Sequence, residues 1–161
     1  MGAAPSIWRL RAQDQRQSTS GALLMAGEHE NLVRRMYEEA WNEGRLDVID
    51  EVCAPDYVGV GPYGNELGPE SVKRGVTSRR DAFPGIHVTI EDVITEGDKV
   101  VARLPFRGTQ KGEFQGIQPT NKEVAWTGIW IYRVADGKFI ERWHNYDMHG
   151  LMEQLNASQI E

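Results

Sequence analysis

Between residues 28 and 44 the apolar side chains Leu32, Val33, Met36, Tyr37, Ala40 and Trp41 recur at i, i+4 and i+1, i+5 spacings. That spacing makes one apolar stripe on an amphipathic helix. Glu28 and Glu30 favour its start electrostatically, and Gly44 suits its C-terminal cap. A second, short helix is predicted over 46–53, turning Leu46, Ile49, Val52 and Cys53 inward and ending before Pro55. Residues 57–61 predict a short strand, and the Gly- and Pro-rich stretch 61–69 predicts a loop. A third helix follows over 70–83, with Pro69 at its entrance and Pro84-Gly85 past its end. Its apolar face is weak, and Arg79-Arg80 marks it as partly exposed.

From residue 86 the period shortens to two, the mark of strands. Residues 86–94 alternate, Glu96-Gly97-Asp98 turns the chain, and 100–109 returns with Pro105 predicting an edge position or a bulge. After a loop over 112–121 come two β-rich runs, 124–134 and 139–147, joined by Ala135-Asp136-Gly137-Lys138. An Asp-Gly pair there predicts a hairpin, because Gly accepts the positive φ of the turn. A last short helix is predicted over 151–155. Helices followed by antiparallel strands predict an α+β domain, with helices on one face of a curved sheet and a pocket between them. Residues 1–27 lack a sustained apolar period and read as an N-terminal extension, flexible or packed on a neighbouring subunit; residues 28–161 form the domain.

The 161 residues suffice for one domain with a substantial core. A net charge of −6 opposes a nucleic-acid surface, which needs clustered Lys and Arg. The single cysteine, Cys53, excludes an internal disulfide and a cysteine-based zinc cluster, and its apolar setting suits an inert thiol. No apolar run approaches the roughly 20 residues of a membrane helix, and the N-terminus makes a poor secretory signal, so a cytoplasmic protein is expected. No phosphate-binding loop, serine-hydrolase elbow or His-x3-His pair occurs, so neither a nucleotide cofactor nor a metal is expected.

The odd residue is Asp147, a carboxylate ending the last strand among Trp143, His144, Asn145 and Tyr146. Burying an unpaired carboxylate is costly, so its place in a sheet lining a pocket suggests proton transfer. The segments Tyr37-Glu38-Glu39-Ala40-Trp41-Asn42-Glu43-Gly44, Phe83-Pro84-Gly85-Ile86-His87-Val88, Glu96-Gly97-Asp98-Lys99-Val100 and Asp136-Gly137-Lys138 with Trp143-His144-Asn145-Tyr146-Asp147 together resemble the SnoaL-like polyketide cyclase (ester cyclase) family. The resemblance runs from about residue 28 to 155. It implies the cone-shaped α+β fold of the cystatin-like, nuclear-transport-factor-like superfamily. It also implies cofactor-free intramolecular aldol closure of a hydrophobic polycarbonyl ester, with one Asp near the end of the last strand as general acid/base. Asp147 is the matching position. A homodimer or homotetramer is implied in the same way. Relatives on this fold include hydroxylases, isomerases, epoxide hydrolases and non-catalytic binding modules, so these stay as alternatives.

A carboxylate with a pKa near ~4 is a poor base, and an aromatic-lined cavity raises it towards the operating pH. If Asp147 points into the cavity, alternation sends Asn145 and Trp143 there too, and His144 outward or into a subunit contact. A bulged hairpin turn adds Thr127, Ile129 and Ile131 to Asp147's face; a two-residue turn adds Trp126, Gly128, Trp130 and Tyr132 instead. The Ala-Asp-Gly order favours the bulge. Asn145 either meets a substrate oxygen or satisfies a loop carbonyl. His87 either polarises a substrate carbonyl or is a half-buried strand histidine. Asn42 is a helix cap or, by the family pattern, a substrate contact. Trp41 and the strand tryptophans suit either a flat aromatic wall for the substrate or plain core.

Overall fold

The computed structural model describes the backbone of residues 7–61 and 64–156, with side chains from residue 21 onward. The first helix, α1 (Ile7–Arg34), starts well before the predicted residue 28 and so takes in most of the expected extension. Over Arg35–Asn42 it widens to i→i+5 bonding, with Glu43 N donating to Glu38 O at 3.2 Å. Met36, Tyr37 and Ala40 of this turn are buried. The helices α2 (Asp47–Val52), α3 (Gly68–Ala82) and α4 (Met148–Asn156) agree with the patterning to within a few residues. No helix among the described residues is long and apolar enough to cross a membrane.

Seven strands form one curved sheet: β1 (Cys53–Gly61), β2 (Gly64–Leu67), β3 (His87–Val88), β4 (Asp92–Glu96), β5 (Lys99–Thr109), β6 (Glu123–Ala135) and β7 (Lys138–Tyr146). Their order is β2-β1-β7-β6-β5-β3, with β4 also on β5. The strand pairing departs from the sequence reading in three places. The predicted 61–69 loop contains β2, which folds back antiparallel on β1. The predicted strand over 86–94 is broken into β3 and β4. Last, β1 pairs with β7 in parallel, with Gly59 opposite Arg142 and Val60 opposite Trp143, so the sheet is not purely antiparallel.

Pro105 lies inside β5, neither at an edge nor in a bulge. Its carbonyl accepts from Thr89 N at 2.9 Å, in the gap between β3 and β4. The missing N–H therefore faces the place where the neighbouring ladder is interrupted, which leaves no bond broken.

The core lies between the concave side of the sheet and the helices. Tyr37, Ile49, Phe83, Leu104, Tyr132 and Phe139 are all fully buried there. Each such side chain stabilises the fold by about 1.5–3 kcal/mol. The Tyr37 and Tyr132 hydroxyls hydrogen-bond to each other, which satisfies both in this apolar setting. Cys53 is buried as well, and burial pushes its thiol up to about 12, which fits the inert role expected of it.

Candidate functional site

The β6–β7 hairpin decides which residues face inward. Its turn is the two-residue kind: Ala135 pairs with Lys138, and Asp136 and Gly137 take φ of 49° and 71°. The register then slips once, because Val134 pairs with Phe139 but Arg133 pairs with Glu141, leaving Ile140 as a bulge. That extra residue restores the parity expected of a bulged turn. Thr127, Ile129 and Ile131 do share a face with Asn145, Trp143 and Asp147, but it is the outer one. On the inner face Trp130 stands opposite His144 and Gly128 opposite Tyr146.

The pocket placement expected for Asp147 is therefore corrected. Asp147 is exposed, and its Oδ1 accepts from Gly150 N at 2.8 Å, which caps α4. Gly150 allows this closely: a Cβ there would lie 2.2 Å from Asp147 Oδ2. Asn145 and Thr127 are exposed on the outer face, and Trp143 is half-buried there with Arg133 over its ring at 5.6 Å. With Asp147 they line a shallow outer hollow, not the inner cavity. His87 is exposed on β3. Asn42 clamps that strand, donating from Nδ2 to Val88 O at 2.9 Å and accepting from Val88 N at 2.7 Å. Of the residues expected with Asp147, only Trp41 lines the inner cavity, joined there by Trp126 and Trp130 of the alternative aromatic face.

The cavity between sheet and helices measures about 70 Å³. Its aromatic wall comes from Trp41, Phe106, Trp126 and Trp130, with Phe106 and Trp126 stacked at 5.3 Å and 8°. One face of α3 contributes Val72, Gly75 and Arg79, at the i, i+3, i+7 positions of a helix stripe. Alternation along β7 sends in Arg142, His144 and Tyr146, and β2 supplies Glu66.

His144 sits in a flat aromatic slot. Its ring lies 5.7 Å from Trp130 at 8° and 5.7 Å from Tyr146 at 1°. Gly61 of β1 makes the close approach possible, since a Cβ there would lie 2.3 Å from His144 Cε1. Gly128 does the same for Trp130 and Tyr146, where a Cβ would come within 2.5 and 2.7 Å. Burial above all, with the positive charges of Arg142 and Arg79 acting the same way and a backbone hydrogen bond with Val60 opposing them, lowers the imidazole to about 4. The ring is thus neutral at pH 7, and its Nδ1 is buried without a hydrogen-bond partner.

The cations around it are held in different ways. Arg79 donates from Nη2 to Tyr146 Oη at 2.9 Å and lies over the Phe114 and Tyr146 rings. Arg142 is 8% exposed and pairs with Glu66. Burial works against the Arg142 charge, but Tyr57, Tyr132 and Glu66 outweigh it and raise the proton affinity above its ordinary value. Titrating at about 4, this imidazole is as weak a base as an ordinary carboxylate. An anion forming beside it offsets the guanidinium charges and raises its proton affinity, so the arrangement can take a proton from carbon as it holds the resulting anion. One sequence signal pointed to this face. Trp126, Gly128, Trp130 and Tyr132 alternate as the bulkier side of β6, and their cross-strand mates on β7 must share it.

Comparison with known proteins agrees with this architecture. The family model described as SnoaL-like polyketide cyclase matches residues 31–155. The chain is 30% identical over 120 residues to nogalonic acid methyl ester cyclase of Streptomyces nogalater, covering 72% of this chain and 89% of the relative. It is 31% identical over 127 residues to aklanonic acid methyl ester cyclase AcmA of Streptomyces galilaeus, covering 76% and 87%. Among solved structures, a SnoaL-like protein of Jannaschia sp. CCS1 superposes with a TM-score of 0.76 at 27% identity, covering 81% of this chain and 93% of that one. TsrD of Streptomyces laurentii superposes with a TM-score of 0.75 at 30% identity, covering 81% and 96%. A match spanning the widened helix turn, the whole sheet and the capped last helix leaves one assignment: the chain belongs to the SnoaL-like polyketide cyclase family.

Proposed function

We propose that the protein is a polyketide cyclase-like enzyme that closes a ring by intramolecular aldol addition, with His144 as its general base. The observation that carries this reading is the neutral, stacked imidazole with an unpartnered buried Nδ1, set beside Arg79 and Arg142. His144 takes a proton from carbon flanked by carbonyls, and the C–H electrons pass to the enolate oxygen. The two guanidiniums lower the energy of that anion, and the anion in turn offsets the field that otherwise disfavours a positive charge on the imidazole. The enolate carbon then attacks a second carbonyl, forming the C–C bond, and the alkoxide recovers the proton from the imidazolium. Atoms and charge balance without an external cofactor. The aromatic wall suits a flat, hydrophobic polycarbonyl ester, in keeping with the methyl ester cyclases that the chain resembles.

In this reading Asp147 acts as a helix cap and the acid/base role expected of it passes to His144. Ring closure on a polycyclic methyl ester separates the two. His144→Gln is expected to lower turnover by roughly 10²–10⁴-fold, the usual worth of a general base. Asp147→Asn is expected to keep turnover within a few-fold. The opposite pattern returns the chemistry to Asp147.

The outer face of the sheet carries Ile129, 50% exposed, beside half-buried Ile131 and Trp143. We propose that this face pairs with a second copy of the chain.

A further inference from the structure

Arg142 is a charge deep in the fold whose hydrogen bonding is incomplete. Its Nε is buried without a partner, and so is the neighbouring Tyr57 hydroxyl. Its one carboxylate, Glu66, reaches in from the short β1–β2 hairpin, and that side chain is 40% exposed against 9% for Arg142. The three polar groups converge over Gly59, where a Cβ would lie 3.0 Å from Arg142 Nη2 and 3.3 Å from both Glu66 Oε2 and Tyr57 Oη. Arg79 lines the same cavity and makes no ion pair with any described carboxylate. The cavity thus holds two guanidiniums against one carboxylate, and that carboxylate comes from its most solvent-accessible strand.

Size adds a second argument. A volume of about 70 Å³ is well below the ~300 Å³ at which ligand pockets begin. A substrate needs room, and Glu66 sits on the short, mostly exposed strand β2 with its side chain 40% exposed. We infer that Arg142 is the anchor for an anionic oxygen conjugated to the substrate's aromatic system, and that Glu66 occupies this anchor until the substrate displaces it. The inference rests on the cyclase reading only for the location of the site. It names the substrate class more narrowly: a flat aromatic compound whose carboxylate or ionised enol reaches Arg142, with Tyr57 Oη as a further donor. An exchange of one carboxylate for another costs little, because the buried charge stays paired throughout.

The test is binding of small aromatic probes, read by quenching of the cavity tryptophans in the full chain. Benzoate is expected to bind at least tenfold more tightly than methyl benzoate, which has the same ring and no charge. Benzoylacetone, which offers an ionisable enol in place of the carboxylate, shows which oxygen source is preferred. Glu66→Gln is expected to tighten benzoate binding by about tenfold, since the competing charge is gone and hydrogen bonds to charged partners are the stronger kind. Arg142→Lys keeps a cation in the core and is expected to lose most benzoate affinity, because it lacks the planar fork. Equal binding of benzoate and methyl benzoate, or weaker benzoate binding by Glu66→Gln, overturns the inference. Neither result depends on ring closure, so a cyclase assay that fails while benzoate binds as expected overturns the cyclase reading and leaves the anchor in place.

Discussion

His144 shows how one side chain can be set by its neighbours without a charged partner of its own. Trp130 and Tyr146 hold the ring flat, Gly61 lets it sit against β1, and burial, helped by the two arginines, keeps it neutral. A consequence follows for stability. An imidazole ordinarily titrates near 6.5, whereas here it titrates near 4. Between those values the unfolded chain binds a proton that the folded chain does not, so the folded state loses stability as pH falls through that window. Above 6.5 both states are neutral and this contribution is flat. Urea denaturation of the wild type and His144→Gln from pH 8 to pH 4 is expected to show the wild type losing stability relative to the variant as the pH drops. A difference that stays constant with pH contradicts the desolvated, neutral ring. Asp147 is the contrasting residue. Its carboxylate stood out in the sequence because an unpaired charge is costly to bury in a sheet, but the structure leaves it exposed and gives it a cap to make.

The strands and helices themselves were legible, because their periods of 3.6 and 2 are local properties of the chain. What the periods leave open is which face of a strand is inside when a single bulge intervenes. The Asp136-Gly137 turn is of the two-residue kind, and Ile140 then shifts every later residue of β7 by one. Reading the aromatic alternation of β6 as the inner face would have turned His144 inward. Treating Asp147 as a pocket residue turned it outward. Glu66 was hidden for another reason: the stretch 61–69 has the Gly and Pro content of a loop, and its pairing with β1 depends on packing rather than composition. The close contact between β1 and β7 offers a test at this scale. Gly61→Ala places a Cβ within contact of the His144 ring, so the imidazole must move while the strand pairing persists. Turnover is expected to fall by about 100-fold, the cost typical of a misplacement near 1 Å, with far-UV circular dichroism unchanged. Wild-type turnover in that variant argues that the position of the ring does not matter.

For the molecule as a whole, the sheet has two unlike faces. The concave side is aromatic and cationic around a small cavity, and the outer side exposes Ile129 next to Ile131 and Trp143. If the outer face pairs with a second copy, Ile129→Asp is expected to convert a dimer to a monomer in sedimentation analysis and leave probe binding in the cavity intact. A wild type that sediments as a monomer at micromolar concentration argues against the pairing. The parallel ladder between β1 and β7 carries one more implication, this time for synthesis. Gly59 and Gly61 emerge from the ribosome some 80 residues ahead of the Arg142 and His144 they must meet, and no local turn joins them. Until β7 arrives, the edge of β1 and the free edge of β6 lack the strand that pairs with both, so a nascent chain cut short before β7 should be sticky and a ready client for chaperones.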